Sequence, residues 1–405
     1  MPRVIEPPET KEEIGSFNNV AYVKYRGRFR GDSASGRFDV PYEICAPANP
    51  RDAGGACLFE PLHFTSGAIA RDFTLGRAFL FGRGFTHATV RHRTYRVAGL
   101  DTDPVTPLTI AGKDAPAPAA AKDNEIIHEF ALALRQSTPA FMGRLNRLYA
   151  AGFSDSGNIV REVYEPFGHK VFDVTFACTA RYKEPVKIPG QKPLILLNTE
   201  YDFDARAVPR PDLPWYRVYA VAGGAHICDA ALAREAFPNP PAPGSPAPKV
   251  EGTTPINWLP FARAIFHAAD QWSRDNVPPP QSVSLKTDAQ GNVQRDGRAN
   301  ATGGIRHPAL ETAEATFIAS VIRDGWMLFG GYANPKRLSE SEFPSYLDTF
   351  TKAADALVSA RYLLPAGREW MLSQAKLHPP NTFTLNYLEG RFFVPQPPKT
   401  VGLDD

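Results

Sequence analysis

The chain has 405 residues, 43% of them hydrophobic and 22% charged, with 45 Lys+Arg against 43 Asp+Glu for a formal net charge of +2. That length supports a large core or two domains of ordinary size, and a near-neutral balance with no sustained basic run argues against nucleic acid or an anionic membrane surface as a partner. No apolar stretch approaches the length of a membrane span.

The start, MPRVIEPPETKEEIG, is polar and proline-bearing, so it reads as neither signal nor transit peptide. A cleaved leader would leave the same picture, and the compartment stays open between cytoplasmic and secreted or periplasmic. Proline is abundant, at 39 residues, which suggests long stiffened loops between regular elements. The four cysteines, Cys45, Cys57, Cys178 and Cys228, form no C-x-x-C pair and fit no zinc framework. Buried thiols are expected for the first two, while a Cys178–Cys228 bridge stays open.

Two antiparallel strands are expected first, over Val20–Tyr25 and Gly36–Ile44, from their alternation. Gly55–Pro61 is a short apolar run between turn signals, as a buried strand would be. It leads into Leu62-His63-Phe64-Thr65-Ser66-Gly67. Gly84–Val90 reads as the next strand, and residues 95–123 as a long connection, a candidate cover for a site. Asn124–Gln136 is an amphipathic helix.

Leu148–Tyr164, LYAAGFSDSGNIVREVY, then organises the rest. An apolar run, a tight turn with Ser154 at its apex and a helix-like period make the strand–turn–helix of a nucleophile elbow. Gly152 precedes Ser154 by two residues, but Ser156 stands where the G-x-S-x-G pattern has its second glycine, and Gly157 follows at once. Lys170–Ala177 is strand-like, and Pro193–Asn198 is a continuous apolar run typical of a parallel strand buried on both faces. The latter ends in Thr199-Glu200-Tyr201-Asp202-Phe203-Asp204. Trp215–Val221 reads as a last strand, running into Ala222-Gly223-Gly224-Ala225-His226. Ile256–Arg274 is a strong amphipathic helix, and helical patterns return at 345–360 and 367–375.

A serine at a strand–helix turn, carboxylates after a later strand and a histidine after the next one give the Ser…Asp/Glu…His order of the α/β-hydrolases. A serine hydroxyl needs a neighbouring base at neutral pH, so Ser154 is the expected nucleophile and His226 the base. The orienting acid is Asp202 or Glu200. Asp202 is placed where the strand end delivers a carboxylate, Glu200 is longer and nearer the strand, and triads of this order accept either type. The backbone N–H of Asp155 is the expected oxyanion donor from the elbow, with His63 or Phe64 supplying another from the loop after the early strand.

These segments resemble a little-characterised family of α/β-hydrolase-domain proteins. Its members carry a G-F-S-Q-S-G-R elbow, T-E-x-D, A-G-x-x-H and a C-terminal G-G-I-R-x-P. The counterparts here are Gly152–Asn158, Thr199–Asp202, Ala222–His226 and Gly303–Pro308. The likeness runs from the first strand to Ala375. It departs at Asp155, where Gln is usual, and at Asn158, where Arg is usual, which alters the wall beside the nucleophile.

The expected fold is thus the α/β-hydrolase fold, a mostly parallel sheet flanked by helices. Residues 1–275 would form the catalytic core, and 276–405 a C-terminal extension packed on it as part of the same compact unit. Arg306 and His307 of the extension either line the pocket or anchor the extension. The expected activity is a serine esterase working through an acyl-enzyme on a small-molecule ester, with no metal and no cofactor. A non-catalytic binding or scaffold protein on the same fold, or an acyltransferase, is the alternative. The acyl group, the alcohol and the oligomeric state are not written in these residues.

Overall fold

A computed structural model of the chain describes residues 4–61, 75–92, 123–184, 187–188, 190–207, 213–227, 252–254, 256–312, 315–323, 326–336 and 338–376. Two compact units result, Met1–Cys178 with Val186–Ile195, and Thr179–Pro185 with Leu196–Asp405.

The first unit contains β1 (Val4–Ile5), β2 (Thr10–Phe17), β3 (Val20–Ser33), β4 (Gly36–Pro47), β5 (Ala56–Phe59), α1 (Arg77–Phe81), β6 (Thr86–Val90), α2 (Asp123–Gln136), β7 (Arg147–Phe153), α3 (Asp155–Val163), α4 (His169–Val171) and β8 (Val174–Cys178). Its strands neighbour one another in the order β1-β3-β4-β6-β5-β7-β8, with β2 beside β3. The β3–β4 and β4–β6 pairs are antiparallel, whereas β6, β5, β7 and β8 run parallel. Helix α3 packs on β7 and β8, and α2 packs on β3.

Strand β3 outruns the expected Val20–Tyr25 because Arg26-Gly27-Arg28-Phe29-Arg30 hides its alternation. Tyr25, Gly27 and Phe29 are buried, while Lys24, Arg26 and Arg28 are partly exposed. The arginines pair with β4 carboxylates, Arg26 with Glu43 at 3.0 Å and Arg28 with Asp39 at 2.5 Å. Gly27 leaves room for a ring, since a Cβ there would lie 2.8 Å from the Tyr42 hydroxyl.

The strand expected over Lys170–Ala177 is shorter. A π-helical turn at Tyr164–Gly168 carries the helical path through Val171. The Asp173 carboxylate then caps the start of β7 by accepting Leu148 N–H at 2.9 Å, and takes Arg135 at 2.5 Å. The Asp173 N–H donates to the Leu148 carbonyl at 2.8 Å, and the β8 ladder runs on from Val174 opposite Tyr149.

The second unit contains the end of β9 (Leu194–Thr199), then β10 (Tyr216–Ala222), β11 (Gly252–Thr253), α5 (Leu259–Asp275), β12 (Ile305–Arg306), α6 (Pro308–Glu311), β13 (Thr316–Arg323), β14 (Trp326–Ala333), α7 (Phe343–Ser359) and α8 (Pro365–Lys376). Strands β9, β10 and β12 are neighbours in that order, and β11-β14-β13 form a separate antiparallel sheet. Trp215–Val221 is therefore not the last strand. The C-terminal segment adds β12 parallel to β10, with Val221 opposite Ile305. Gly303 and Gly304 make this close approach, at φ 77° and 66°. A Cβ on Gly304 would stand 2.5 Å from the Ala220 carbonyl oxygen.

Together these strands and helices are the α/β class expected: a large mixed sheet, parallel through its central strands, with helices against it. Among the described residues no helix is long and apolar enough to cross a membrane. Cys45, Cys57 and Cys178 are buried free thiols, so Cys178 is not half of a bridge.

Candidate active site

Ser154 belongs to the first unit, and Asp202, Glu200 and His226 to the second. Ser154 is the single residue between β7 and α3. It stands at φ 56° and ψ −117°, the N-cap position, without a capping bond from its side chain. A non-glycine residue held there carries about 1–3 kcal/mol of backbone strain. Its N–H donates to the Cys178 carbonyl at 3.0 Å, and its own carbonyl accepts Asn158 N–H at 2.8 Å.

Packing explains the glycines around it. A Cβ on Gly152 would lie 2.3 Å from the Ser156 carbonyl oxygen, and one on Gly157 would lie 2.5 Å from that of Cys178. The second small residue that sterics demand is therefore Gly157, not position 156. Ser156 is tolerated because its side chain folds back on the turn. Its Oγ accepts Phe153 N–H at 3.0 Å and donates to the Phe153 carbonyl at 2.9 Å. Asp155 opens α3, where a carboxylate suits the positive end of the helix dipole.

In the second unit His226 Nδ1 lies 2.7 Å from Asp202 Oδ1, and both side chains are largely buried. The other carboxylate oxygen accepts the Thr199 hydroxyl at 2.8 Å. Asn198 Nδ2 donates to the Asp202 carbonyl at 3.1 Å and to that of Ala180 at 3.0 Å. An ionised carboxylate only accepts, so in this pair the imidazole carries its proton on Nδ1. The Tyr201 ring meets the imidazole edge-on, with centroids 5.7 Å apart.

Glu200 is engaged elsewhere. Its Oε2 accepts Gly223 N–H at 2.7 Å, and its Oε1 pairs with Arg295. The geometry thus brings Asp202, not Glu200, to His226. Thr199 and Asn198 were not singled out from the sequence. For Thr199 the signal is the T-E-Y-D run, in which a hydroxyl three residues before an aspartate can bond its carboxylate. Asn198, just ahead of that run, carries none.

Arg306 spends its guanidinium on Glu311, on Asp296 at 3.3 Å, and on the Ala301 and Leu310 carbonyls. His307 is buried between the rings of Phe261 and Phe350 and caps α6 by accepting Ala309 N–H at 3.2 Å. Burial pushes its pKa down from 6.5 to about 3. These contacts tie both residues to their neighbours within the second unit. His63, Phe64, Cys228 and all of the 95–123 connection except Asp123 lie outside the described residues.

No curated protein matches the sequence. Among solved structures, a ferulic acid esterase from Streptomyces cinnamoneus aligns at 16% identity and a TM-score of 0.40, covering 64% of this chain and 91% of its own. An S-formylglutathione hydrolase from Agrobacterium tumefaciens aligns at 9% identity and a TM-score of 0.32, with coverage of 48% and 80%. The sequence itself matches the alpha/beta hydrolase domain family over residues 37–373, most of its length. On that match, with the sheet and the serine turn just described, the chain belongs to the alpha/beta hydrolase domain family.

Proposed function

We propose that the protein is a serine-dependent carboxylic ester hydrolase acting through an acyl-enzyme. Family membership supports hydrolase chemistry in general, and the observation that carries the finer reading is the strained Ser154 turn between β7 and α3. Nothing in the packing of a strand–helix junction requires a non-glycine residue at φ 56°. A reactive group presented at a helix N-terminus gives a reason for one.

In this reading Ser154 Oγ attacks the ester carbonyl while Nε2 of His226 takes its proton. The tetrahedral oxyanion is met by the Asp155 N–H, with His63 or Phe64 as the second donor. Collapse expels the alcohol, which takes the proton from His226, and leaves the acyl group on Ser154. Water then attacks the acyl carbon, its proton going to His226, and the acyl–Oγ bond breaks as His226 returns that proton to Ser154 Oγ and the acid leaves. Asp202 holds the imidazole tautomer and balances the imidazolium. Its short contact with Nδ1 favours it over Glu200 for this role. The substrate class is a small-molecule ester, and no step calls for a metal or organic cofactor.

The test is steady-state hydrolysis of short-chain p-nitrophenyl esters by the wild type, Ser154→Ala and Asp202→Asn. Loss of the nucleophile should lower kcat by about 10^3-fold or more. A Ser154→Ala protein as active as the wild type would overturn the assignment.

A further inference from the structure

We propose that Glu200 is the positioning residue of the His226 turn, tied in turn to Arg295 of the C-terminal segment. Its catalytic consequence rests on the esterase reading above, while its structural content does not.

Three consecutive residues past β9 grip one turn past β10. Glu200 accepts Gly223 N–H at 2.7 Å. Tyr201 N–H donates to the Gly224 carbonyl at 3.2 Å. Asp202 receives His226 at 2.7 Å. Gly223 is the first residue beyond β10, at φ 70°. A Cβ there would press on Ile256 and Leu310 at 3.3 and 3.4 Å. The turn is therefore packed from outside and bonded from inside, and His226 follows three residues later.

The Glu200 side chain is 4% exposed, so its charge needs a partner, and Arg295 supplies it from a half-exposed position. Arg295 is itself fixed. Gln294 N–H donates to the Lys286 carbonyl at 2.8 Å, Thr302 N–H donates to the Gln294 carbonyl at 3.0 Å, and Arg295 bridges Ala301. The same stretch then enters β12 beside β10 through Gly303 and Gly304. One buried carboxylate so links the C-terminal segment to the backbone that carries the histidine.

Glutamine separates this role from that of a triad acid. Its amide oxygen still accepts Gly223 N–H, but it bears no charge. The experiment compares full-length wild type, Glu200→Ala, Glu200→Gln and Arg295→Met by kcat and KM on p-nitrophenyl acetate, and by hydrogen exchange of the peptide spanning 221–227. For Glu200→Ala, kcat should fall by about 10- to 100-fold with KM little changed, the cost of a small misplacement of the base. Exchange at Gly223 should rise. Glu200→Gln should restore both to within about fivefold of wild type, since the acceptor is kept. Arg295→Met, which leaves the acceptor but removes its anchor, should fall between. It also supplies the reading if Glu200→Ala does not fold.

A Glu200→Gln protein as slow as Glu200→Ala would return Glu200 to the role of acid and overturn the proposal. Wild-type exchange at Gly223 in both Glu200→Ala and Arg295→Met would overturn it too. If the wild type cleaves no ester, the esterase reading fails, and the exchange arm decides this proposal alone.

Discussion

Replacing Gly157 by alanine sets two known effects against each other. Gly157 lies inside α3, where the exchange ordinarily gains about 1 kcal/mol of helix propensity. Here the new methyl would stand 2.5 Å from the Cys178 carbonyl oxygen and 3.1 Å from that of Gly152. Both are backbone atoms of packed strands, so no flexible side chain can swing aside. Overpacking of this kind costs about 1–3 kcal/mol. The Cys178 carbonyl also accepts Ser154 N–H at 3.0 Å, and stretching that bond adds roughly 1 kcal/mol. The steric terms outweigh propensity, leaving a net loss of about 1–3 kcal/mol. Because the shift falls on the turn that aims Ser154, esterase activity should fall further, by up to about 100-fold for a displacement near 1 Å. The assay is the denaturant midpoint together with ester turnover, with Gly297→Ala as control, since nothing lies within 4 Å of a Cβ there. A Gly157→Ala protein as stable and active as that control would refute the reasoning.

Ser154→Gly should abolish turnover yet raise stability by about 1 kcal/mol over Ser154→Ala, because only glycine relieves the φ of 56°. Equal midpoints for the two would remove the strain argument. Asp202→Asn should lower kcat by about 10^3- to 10^4-fold with KM spared, as the imidazole loses its tautomer and its counter-charge. A fall in KM-limited binding alone would contradict that. His307 has a folded pKa near 3 against 6.5 when unfolded, so between those values the unfolded chain binds the extra proton. The stability present above pH 6.5 is therefore lost as pH falls towards 3, at about 1.4 kcal/mol per unit from this group. Urea midpoints from pH 7 to 4 should decline more steeply for wild type than for His307→Leu, and parallel lines would dismiss the effect.

Much of this was legible in residue order. Leu194–Leu197 reads as a buried strand because nothing polar interrupts it, and Ser154 announces itself by the small residues it needs on both sides. What sequence could not settle was mostly geometry beyond the next residue. Asp202 and Glu200 are both carboxylates at a strand end, and only the backbone path sends one to His226 and the other to Gly223 N–H. The register of the elbow glycine was off by one, because Ser156 can bond its own turn instead of colliding with it. The C-terminal third was least readable. Strands β13 and β14 pair chiefly with each other, and the Gly-Gly-Ile-Arg run looks like a loop until Gly304 is seen against Ala220.

The central claim is that Ser154 is an activated nucleophile. Intact mass after exposure to a fluorophosphonate, on wild type, Ser154→Ala and Ser156→Ala, addresses it most directly. A single adduct on wild type and Ser156→Ala, absent from Ser154→Ala, is the expected result. A folded wild type that never labels, or an adduct that survives Ser154→Ala, would contradict it.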